Sequence, residues 1–415
     1  MQSLLFITHE YPINRGDTSF IKNEIPYVSN KFDKIHILCL GKYINTDCLL
    51  NVPKNVLLHF LKYKKIKKII LLFLLLFNHV FYNELYFLFN KRKLTVKSLY
   101  LCISFFTEAL LLRISIKQLL NQDKYIGLIY TYWYSSETMG ALLLKGRYAN
   151  IPCITRTHRY DLYEFRDNQN YQPYKLWMDK KISRIFFISR HGYDYYINTF
   201  AGDDLKKYSI ARLGILNNYP FMKKYGKDVN IFYLLSCSYI VPVKRIHLIV
   251  KTLAEINDYA IHWIHIGDGS EKKNIVSMAD SILLNKENIS FEFKGFMTND
   301  QVMQFYSEQY FDCFISTSES EGLPVSMMEA ISFGIPIIAT NVGGVSEIVG
   351  ETGILLGPND EVPEIKKALI DFFDFPDDKR NAMRQAARLL WESDFNAEIN
   401  HARFSEELSS MAKKT

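Results

Sequence analysis

Two glutamates, Glu321 and Glu329, stand eight residues apart in a segment that joins two short apolar runs. The segment reads Ser316-Thr-Ser-Glu-Ser-Glu-Gly-Leu-Pro-Val-Ser-Met-Met-Glu-Ala-Ile-Ser-Phe-Gly-Ile-Pro-Ile-Ile-Ala-Thr340. A carboxylate accepts two hydrogen bonds side by side, which suits the vicinal diol of a ribose or a hexose. It also offsets the positive charge of an oxocarbenium-like transition state. These residue types at this spacing therefore point to sugar chemistry.

The same segment predicts where the two carboxylates lie. We expect a strand to end near Thr317, and a helix to begin at Pro324 and to end at Gly334. Glu321 would then stand at the carboxyl end of a strand beside a helix N-terminus, which is where parallel sheets bind ligands and where free amides suit a phosphate. A plainer interpretation stays open, in which Glu321 only complements the helix dipole and Glu329 is a solvated surface residue.

A basic pair, Lys244 and Arg245, follows the apolar run Ile231–Cys237 and precedes a helical stretch. The negative charge of a departing nucleoside diphosphate must be neutralised, and a Lys or an Arg does this where no metal is present. No Asp-x-Asp triplet occurs in the chain, so we predict no metal site. The alternative is that both basic side chains simply face solvent.

Three further positions follow predicted strands. Gly267, in Gly267-Asp-Gly269, lets a backbone approach a ligand closely, although an ordinary turn explains it equally well. Gly16 and His158 follow strands in the first half of the chain, and we expect both to face a cleft between two domains. A single His is also often structural.

Short apolar runs alternate with helical stretches through both halves of the chain, which is typical of βα units on parallel sheets. The predicted strands are Leu4–Thr8, Ile35–Leu40, Ile126–Thr131, Ile151–Arg156, Arg184–Ser189 and Tyr208–Leu213, then Ile231–Cys237, Ala260–Ile266, Ile289–Phe293, Asp312–Thr317, Ile335–Thr340 and Gly353–Leu356. We therefore predict an α/β protein with two doubly wound, Rossmann-like sheets.

The turn-rich stretch Leu216–Asn230 suits a linker between the two sheets. The predicted domains are residues 1–217, residues 218–392 and a C-terminal helix within residues 393–415. That helix would carry four apolar side chains on one side: Phe395, Ile399, Phe404 and Leu408.

The charges are distributed unevenly along the 415 residues. Residues 1–220 contain 31 Lys and Arg against 16 Asp and Glu, and residues 221–415 contain 19 against 28, so the halves carry +15 and −9. This asymmetry points to an anionic partner of the first half, either a membrane surface or a nucleic acid. With 48% hydrophobic and 23% charged residues, the composition excludes a disordered or collagen-like chain. The six Cys have no metal-ligand spacing and are expected to be reduced thiols.

In their order along the chain, these motifs resemble those of the retaining GT-B glycosyltransferases of family 4, in particular members that build bacterial capsule, colanic acid and O-antigen chains. The most specific part is Glu321–Glu329, which is similar to the family's E-x7-E motif. Gly334-Ile-Pro336 and Gly343-Gly344 follow it as the family pattern expects.

The resemblance implies a role for each candidate residue. Glu321 would contact hydroxyls of the donor sugar, Lys244 would contact the diphosphate, and His158 would reach the donor sugar from the other domain. The remaining donor-binding residues would be Glu329 at the ribose, with Arg245, Gly16, Gly267, Gly322 and Leu323. The family usually places an Arg five residues before the lysine, where this chain has Tyr239, and Arg245 is the residue available to substitute for it.

The function implied is transfer of a sugar from a nucleotide-diphosphate sugar to a hydroxyl of a lipid-linked surface glycan, with retention of the anomeric configuration. The nucleotide sugar is a co-substrate, and no cofactor is expected. Two alternatives remain: a nucleotide-sugar epimerase of the same fold, and a catalytically silent scaffold of a polysaccharide assembly. An oxidoreductase fits less well, because no G-x-G-x-x-G follows an early strand.

The expected location is the cytoplasmic face of an anionic membrane. The N-terminus has no basic region followed by a long apolar core, so we predict no signal peptide. The apolar run Ile69–Phe77 is shorter than the roughly 20 residues that span a bilayer. Basic residues flank it: Lys62, Lys64, Lys65, Lys67 and Lys68 before it, and Lys91, Arg92, Lys93 and Lys97 after a second aromatic stretch. No nucleic-acid recognition motif accompanies them, so we predict membrane docking, with a buried core helix as the alternative.

Overall fold

The computed structural model of the chain describes residues 2–13, 16–41, 49–61, 75, 77–166, 169–221 and 231–412. The chain forms two compact units. Unit 1 comprises Met1–Leu213 and Ala397–Thr415, and unit 2 comprises Gly214–Asn396. The domain boundaries expected from the sequence, after residues 217 and 392, each differ from these by four residues. Much of the predicted linker, residues 222–230, lies outside the described residues, as do the five lysines between 62 and 68.

Unit 1 is built on a parallel sheet. Its strands, within the described residues, are β1 (Ser3–Thr8), β2 (Lys34–Cys39), β3 (Val56–Phe60), β4 (Ile126–Thr131), β5 (Cys153–Thr157), β6 (Arg184–Phe187) and β7 (Tyr208–Ile210). Their order across the sheet is β3-β2-β1-β4-β5-β6-β7. The chain therefore builds outwards in one direction from β1 and in the other from β4, so that the direction of winding changes between these two strands.

Unit 2 repeats this arrangement with a second parallel sheet. Its strands are β8 (Ile231–Cys237), β9 (Ala260–Ile266), β10 (Ile289–Gly295), β11 (Cys313–Ser316), β12 (Ile337–Thr340) and β13 (Gly353–Leu356). The order is β10-β9-β8-β11-β12-β13, and the direction of winding changes between β8 and β11. The prediction of two parallel α/β sheets is confirmed.

Helices connect the strands. Those of unit 1 before the linker are α1 (Thr18–Ser29), α2 (His79–Asn90), α3 (Val96–Gln122), α4 (Ser136–Leu142), α5 (Arg159–Leu162), α6 (Lys175–Asp179) and α7 (Arg190–Thr199). Those of unit 2 are α8 (Ile246–Ala254), α9 (Lys272–Leu283), α10 (Asn299–Glu308), α11 (Val325–Ser332), α12 (Ser346–Val349), α13 (Val362–Asp374) and α14 (Asp377–Leu390). The last helix, α15 (Ala397–Met411), belongs to unit 1, where it packs against α1.

Two features of these elements differ from the sequence prediction. Strand β3 lies at the edge of the sheet and was not predicted, although four of its five residues are apolar. Periodicity does not distinguish a strand from a helix in a run this short. In α15, Phe404 and Leu408 are buried as predicted, but Ile399 is exposed. Asn400 and His401 occupy the buried face instead, so hydrophobicity alone identified the wrong side of that turn.

Helix α3 has the length and composition of a membrane-spanning segment: 27 residues with a mean hydropathy of 1.7 in its most apolar window. A capping box between Thr95 and Ser98 begins it, and its middle packs against α4. Phe106, Leu112 and Ile116 are fully buried in the cores of unit 1. The helix therefore also fits the description of a core helix.

Candidate functional site

In unit 2, Lys244 and Glu321 meet where the winding of the sheet changes direction. Lys244 ends a short 3-10 turn after β8, and Glu321 lies in the loop after β11, the strand that pairs with β8. The Lys244 ammonium forms an ion pair with Oε1 of Glu321. Both side chains keep a small exposed fraction, 21% for the lysine and 10% for the glutamate. The two predicted groups are thus adjacent at the edge where α/β sheets bind ligands.

Backbone and hydroxyl hydrogen bonds fix these two loops to each other. Glu319 N donates to the carbonyl of Val243 at 2.8 Å. The Thr317 hydroxyl donates to the carbonyls of Lys244 at 3.1 Å and Arg245 at 2.9 Å. The position of the ion pair therefore depends on the packing of two segments more than 70 residues apart in the chain.

The Arg245 side chain is 14% exposed and has partners other than Glu321. Its backbone is left-handed, with φ 47°, and its Nε donates to the carbonyl of Thr317 at 2.7 Å. Its Nη1 lies 3.9 Å from a carboxylate oxygen of Glu361. Arg245 therefore joins the end of β11 to the start of α13. Tyr239, where the sequence resemblance led us to expect an arginine, is exposed.

Glu329 lies on α11 and is buried, with 5% of its surface exposed. Asn299, the first residue of α10, donates its amide to Oε1 of Glu329. Burial raises the pKa of Glu329 to about 8, an effect that the Asn299 hydrogen bond only partly opposes. The side chain is therefore protonated near neutral pH in this structure and can both donate and accept a hydrogen bond. The interpretation of Glu329 as a solvated surface residue is wrong.

Glycines allow the surrounding loops to pack closely. A Cβ at Gly267, where φ is +146°, would overlap the carbonyl of Ser238, and one at Gly343, where φ is +59°, would overlap the carbonyl of Glu321. Gly344 N donates to the carbonyl of Gly322 at 2.7 Å, and the neighbouring Leu323 is only 9% exposed. These glycines bring the loops at the carboxyl edge together.

In unit 1, the loop after β1 is organised by Asp17. Its carboxylate accepts hydrogen bonds from the backbone N–H groups of His9, Glu10 and Tyr11 at 2.9 to 3.0 Å. Asp17 precedes α1 but makes no side-chain cap there. Gly16 is left-handed, with φ +58°, and a side chain at this position would collide with Glu10.

His158 directly follows β5 and is buried against two aromatic rings. Its ring centroid lies 4.6 Å from those of both Tyr132 and Trp133. Burial, reinforced by the positive charge of Arg156, lowers its pKa to about 3, so the imidazole is neutral. Its backbone N–H donates to Asp161 at 2.6 Å, and its Nε2 has no hydrogen-bond partner.

Two interacting pairs of an acid and a base near this position were not predicted from the sequence. His9 Nε2 lies 2.9 Å from Oε1 of Glu137. Burial alone would lower the pKa of His9, but the charge and hydrogen bond of Glu137 together with the charges of Asp17 and Glu108 outweigh it and raise the pKa to about 9. Asp161 and Lys175 are a second buried acid and base whose charges interact: burial raises the pKa of the acid to about 6 and lowers that of the lysine to about 8.

A cavity of about 390 Å³ opens beside these groups in unit 1. His9 and Ser135, which follow β1 and β4, line it at the point where the winding of this sheet changes direction. Glu108 of α3 and Tyr160 of α5 line other walls. Its volume lies in the range of small-ligand sites, and its mixture of aromatic rings, hydroxyls and charged groups suits a sugar.

Two of the residues that the sequence analysis missed could have been identified by their position in the sequence. His9 and Asp161 both follow predicted strands closely, as the chosen candidates do. Their partners, Glu137 and Lys175, lie in α4 and α6 and had no such signal. Within the part of the chain that the structure describes, no cluster of three or more His, Cys, Asp or Glu side chains could hold a metal ion.

Residues 219–390 match the family described as Glycosyl transferases group 1. This range lies within unit 2 and contains the Lys244–Glu321 pair together with Glu329. It covers less than half of the chain.

Curated relatives match over part of their length. The O-antigen biosynthesis glycosyltransferase WclY from Escherichia coli is 30% identical over 122 residues, which cover 28% of this chain and 32% of that protein. The O-antigen biosynthesis glycosyltransferase WbnH, also from Escherichia coli, is 25% identical over 179 residues, 43% of this chain and 49% of that protein. The matched region thus spans 32% of one relative and 49% of the other, less than half of each.

Solved structures match over the whole chain. A glycosyltransferase from Rickettsia africae has a TM-score of 0.67 at 14% identity, covering 100% of this chain and 99% of its own. HepE from Anabaena, solved with UDP and glucose, has a TM-score of 0.65 at 16% identity, covering 99% of this chain and 100% of its own. At these identities the likeness concerns the fold, and the chain has the two Rossmann-like domains of the GT-B fold.

Proposed function

We propose that this chain is a glycosyltransferase that moves a sugar from a nucleotide-diphosphate sugar to a hydroxyl of a growing surface polysaccharide. The family match of residues 219–390 and the partial likeness to O-antigen glycosyltransferases support this reaction class. The finer parts of the proposal are retention of the anomeric configuration, membership of family 4 and a lipid-linked acceptor.

The observation that carries the proposal is the ion pair between Lys244 and Glu321 at the carboxyl edge of the unit 2 sheet. When the glycosidic bond breaks, negative charge develops on the leaving diphosphate and positive charge on the sugar ring. A Lys stabilises the first charge and a carboxylate the second, and the pair presents both at one place. With a donor bound, we expect Lys244 to bind the diphosphate and Glu321 the sugar.

The other candidate residues have narrower roles in this proposal. Protonated Glu329 donates a hydrogen bond to a ribose hydroxyl. Neutral His158, with its unpartnered Nε2, binds a sugar hydroxyl without adding charge. The cavity of unit 1 is proposed to hold the acceptor, with the ring of Tyr160 against a sugar face and Glu108 at its hydroxyls.

Donor binding is tested by a thermal-shift panel of UDP-, GDP- and ADP-sugars. A ligand that binds only the folded chain raises its stability by RT ln(1 + [L]/Kd). We expect one nucleotide class to raise the melting temperature of the wild type and of Lys251→Ala, an exposed lysine of α8, but to raise that of Lys244→Ala much less. A wild type that binds none of the donors would support the silent scaffold instead.

Transfer is tested by incubating the chain with the donor found in that panel, radiolabelled in its sugar, and membranes that contain lipid-linked glycans. Label that moves into the organic-extractable fraction supports the transferase. Conversion of the donor into its epimer without acceptor would support the alternative epimerase. The anomeric proton coupling of the product, compared with that of the donor, decides between retention and inversion.

A further inference from the structure

Helix α2 is apolar on two sides, although only one of them is used inside unit 1. Val80, Phe81 and Leu88 are buried in the core. The acid of this helix, Glu84, is buried with them and accepts hydrogen bonds from the Tyr171 hydroxyl at 2.7 Å and the Tyr174 N–H at 2.8 Å. These contacts fix which side of α2 faces the core.

The opposite side of α2 carries aromatic rings exposed to solvent. Tyr82, Tyr86 and Phe89 are spaced i, i+4 and i+7, so they form one stripe along the helix. Tyr86 and Phe89 are each 68% exposed. The exposed apolar surface continues through the loop and into the first turns of α3, where Val96 is 89% exposed and Tyr100 is 67% exposed.

We call this surface the aromatic–basic face; it consists of Tyr82, Tyr86, Phe89, Leu94, Val96 and Tyr100 with the exposed Lys91, Arg92 and Lys97. Residues 77–100 contain seven of the 22 exposed large hydrophobic side chains in the described part of the chain. Isolated exposed apolar residues are normal, but a concentration of them marks an interaction surface.

All exposed charges of this stretch are positive. Glu84 is the sole acidic residue between positions 77 and 100, and it is buried. Lys93 is engaged inside unit 1, where it lies 3.2 Å from a carboxylate oxygen of Glu164. Lys91 and Arg92, by contrast, are exposed beside Phe89 at the end of α2. An aromatic stripe bordered by basic groups matches a bilayer surface, where tyrosines lie at the headgroup level and lysines and arginines attract anionic lipids.

We propose that the aromatic–basic face docks unit 1 on the surface of an anionic membrane, with its aromatic side chains at the headgroup level. The sequence-based expectation rested on the lysines between residues 62 and 68 together with Lys91, Arg92, Lys93 and Lys97. The proposal retains Lys91, Arg92 and Lys97 and adds the exposed apolar side chains of α2 and of the start of α3. The proposal does not depend on the identity of the donor or on the reaction.

The test is co-sedimentation of the full chain with vesicles, using a matched pair of variants. Phe89→Ser with Lys91→Glu removes one exposed apolar side chain and two units of positive charge from the face. Leu205→Ser with Lys206→Glu makes the same change at exposed positions elsewhere in unit 1. Vesicles consist of phosphatidylcholine alone or with about 30% phosphatidylglycerol, the anionic component that the basic residues would attract.

We expect the wild type and the control variant to pellet with anionic vesicles and only weakly with neutral ones. The face variant should bind at least about tenfold more weakly, since each basic residue near an anionic surface contributes roughly fivefold and a charge reversal counts twice. Wild-type binding should fall between about 0.1 M and 1 M salt, as the Debye length falls from about 10 Å to about 3 Å.

Equal sedimentation of the two variants would overturn the proposal. Self-association through this face would also overturn the proposal. It would be seen if the wild type did not bind vesicles but formed a dimer in gel filtration, and if the face variant were monomeric. The donor thermal shift is measured on the same variants. Because Phe89 and Lys91 lie outside the unit 2 site, we expect the shift to be unchanged, so a failure of membrane docking is distinguished from a failure of the proposed reaction.

Discussion

At the scale of single residues, burial separates the two glutamates of the E-x7-E segment. Glu321 remains partly exposed beside Lys244, whereas Glu329 is buried beside Asn299. Burial raises the pKa of Glu329 to about 8, so this carboxyl is protonated near neutral pH, while Glu321 is held in an ion pair with Lys244. A charged group suits transition-state stabilisation, and a protonated group suits a hydrogen bond to a donor hydroxyl.

Removing either member of the Lys244–Glu321 pair should reduce turnover strongly. Lys244→Ala and Glu321→Ala are each expected to lower kcat by about 10² or more, as other electrostatic catalytic groups do. Glu329→Ala should act mainly on donor binding. The measurement is steady-state kinetics with an authentic acceptor, and Glu319→Ala, an exposed carboxylate of the same loop, is the control. Near-normal turnover by Glu321→Ala would refute its assignment.

The buried Glu329 should also make stability depend on pH. Burial raises its pKa from 4.5 to about 8, so between these values the folded chain holds a proton that the unfolded chain has lost. The free energy of unfolding must therefore fall as pH rises through this range. Glu329→Gln keeps the acceptor for Asn299 and removes this titration.

We expect the wild type and Glu329→Gln to melt at similar temperatures near about pH 4.5, and the variant to melt at the higher temperature near about pH 8. Other titrating groups affect both proteins equally, so the difference between the two melting curves isolates Glu329. A difference that stays constant across the range would show that Glu329 is ionised in the folded chain.

At the scale of elements, a buried ion pair helps to hold α15 on unit 1. Arg156 of β5 contacts Glu24 of α1, and both side chains are almost completely buried. The Arg156 guanidinium lies 3.9 Å from the centre of the Phe404 ring, and His401 Nδ1 lies 3.6 Å from a Glu24 oxygen. Two residues of α15 therefore pack directly on this pair.

Breaking this pair should destabilise unit 1 much more than breaking a surface pair. Glu24→Ala leaves a buried guanidinium without its carboxylate, which costs about 3–5 kcal/mol. Lys31→Ala removes the exposed pair with Glu406, 3.2 Å apart, and should cost about 0–1 kcal/mol. Denaturant unfolding of both variants measures the difference, and equal costs would show that the buried pair is not required for the attachment of α15.

At the scale of the whole molecule, the proposed reaction uses side-chain cations at the diphosphate. In this proposal Lys244 neutralises the diphosphate in place of a metal ion, and the chain contains no Asp-x-Asp triplet. We therefore expect EDTA to leave the transfer rate essentially unchanged. A loss of activity that Mg²⁺ or Mn²⁺ restores would show that the diphosphate is held in another way.

The sequence by itself determined the class of fold and the positions where chemistry could occur. Apolar runs of strand length alternate with helical stretches, and this local periodicity fixed 12 strands and the ends from which Lys244, Glu321 and His158 emerge. It missed β3, an apolar run of five residues that is too short for periodicity to identify as a strand.

The tertiary structure alone decided which of these positions meet. Lys244 and Glu321 are adjacent because β8 pairs with β11, and the order of strands in a sheet is not encoded in local periodicity. The same applies to the burial of Glu329 and to the hydrogen bond from Arg245 to Thr317. It applies as well to the ion pair of His9 with Glu137 and to the interaction between the charges of Asp161 and Lys175. Protonation and orientation depend on neighbours that the chain supplies from distant segments, so these properties exist only once the sheets have formed.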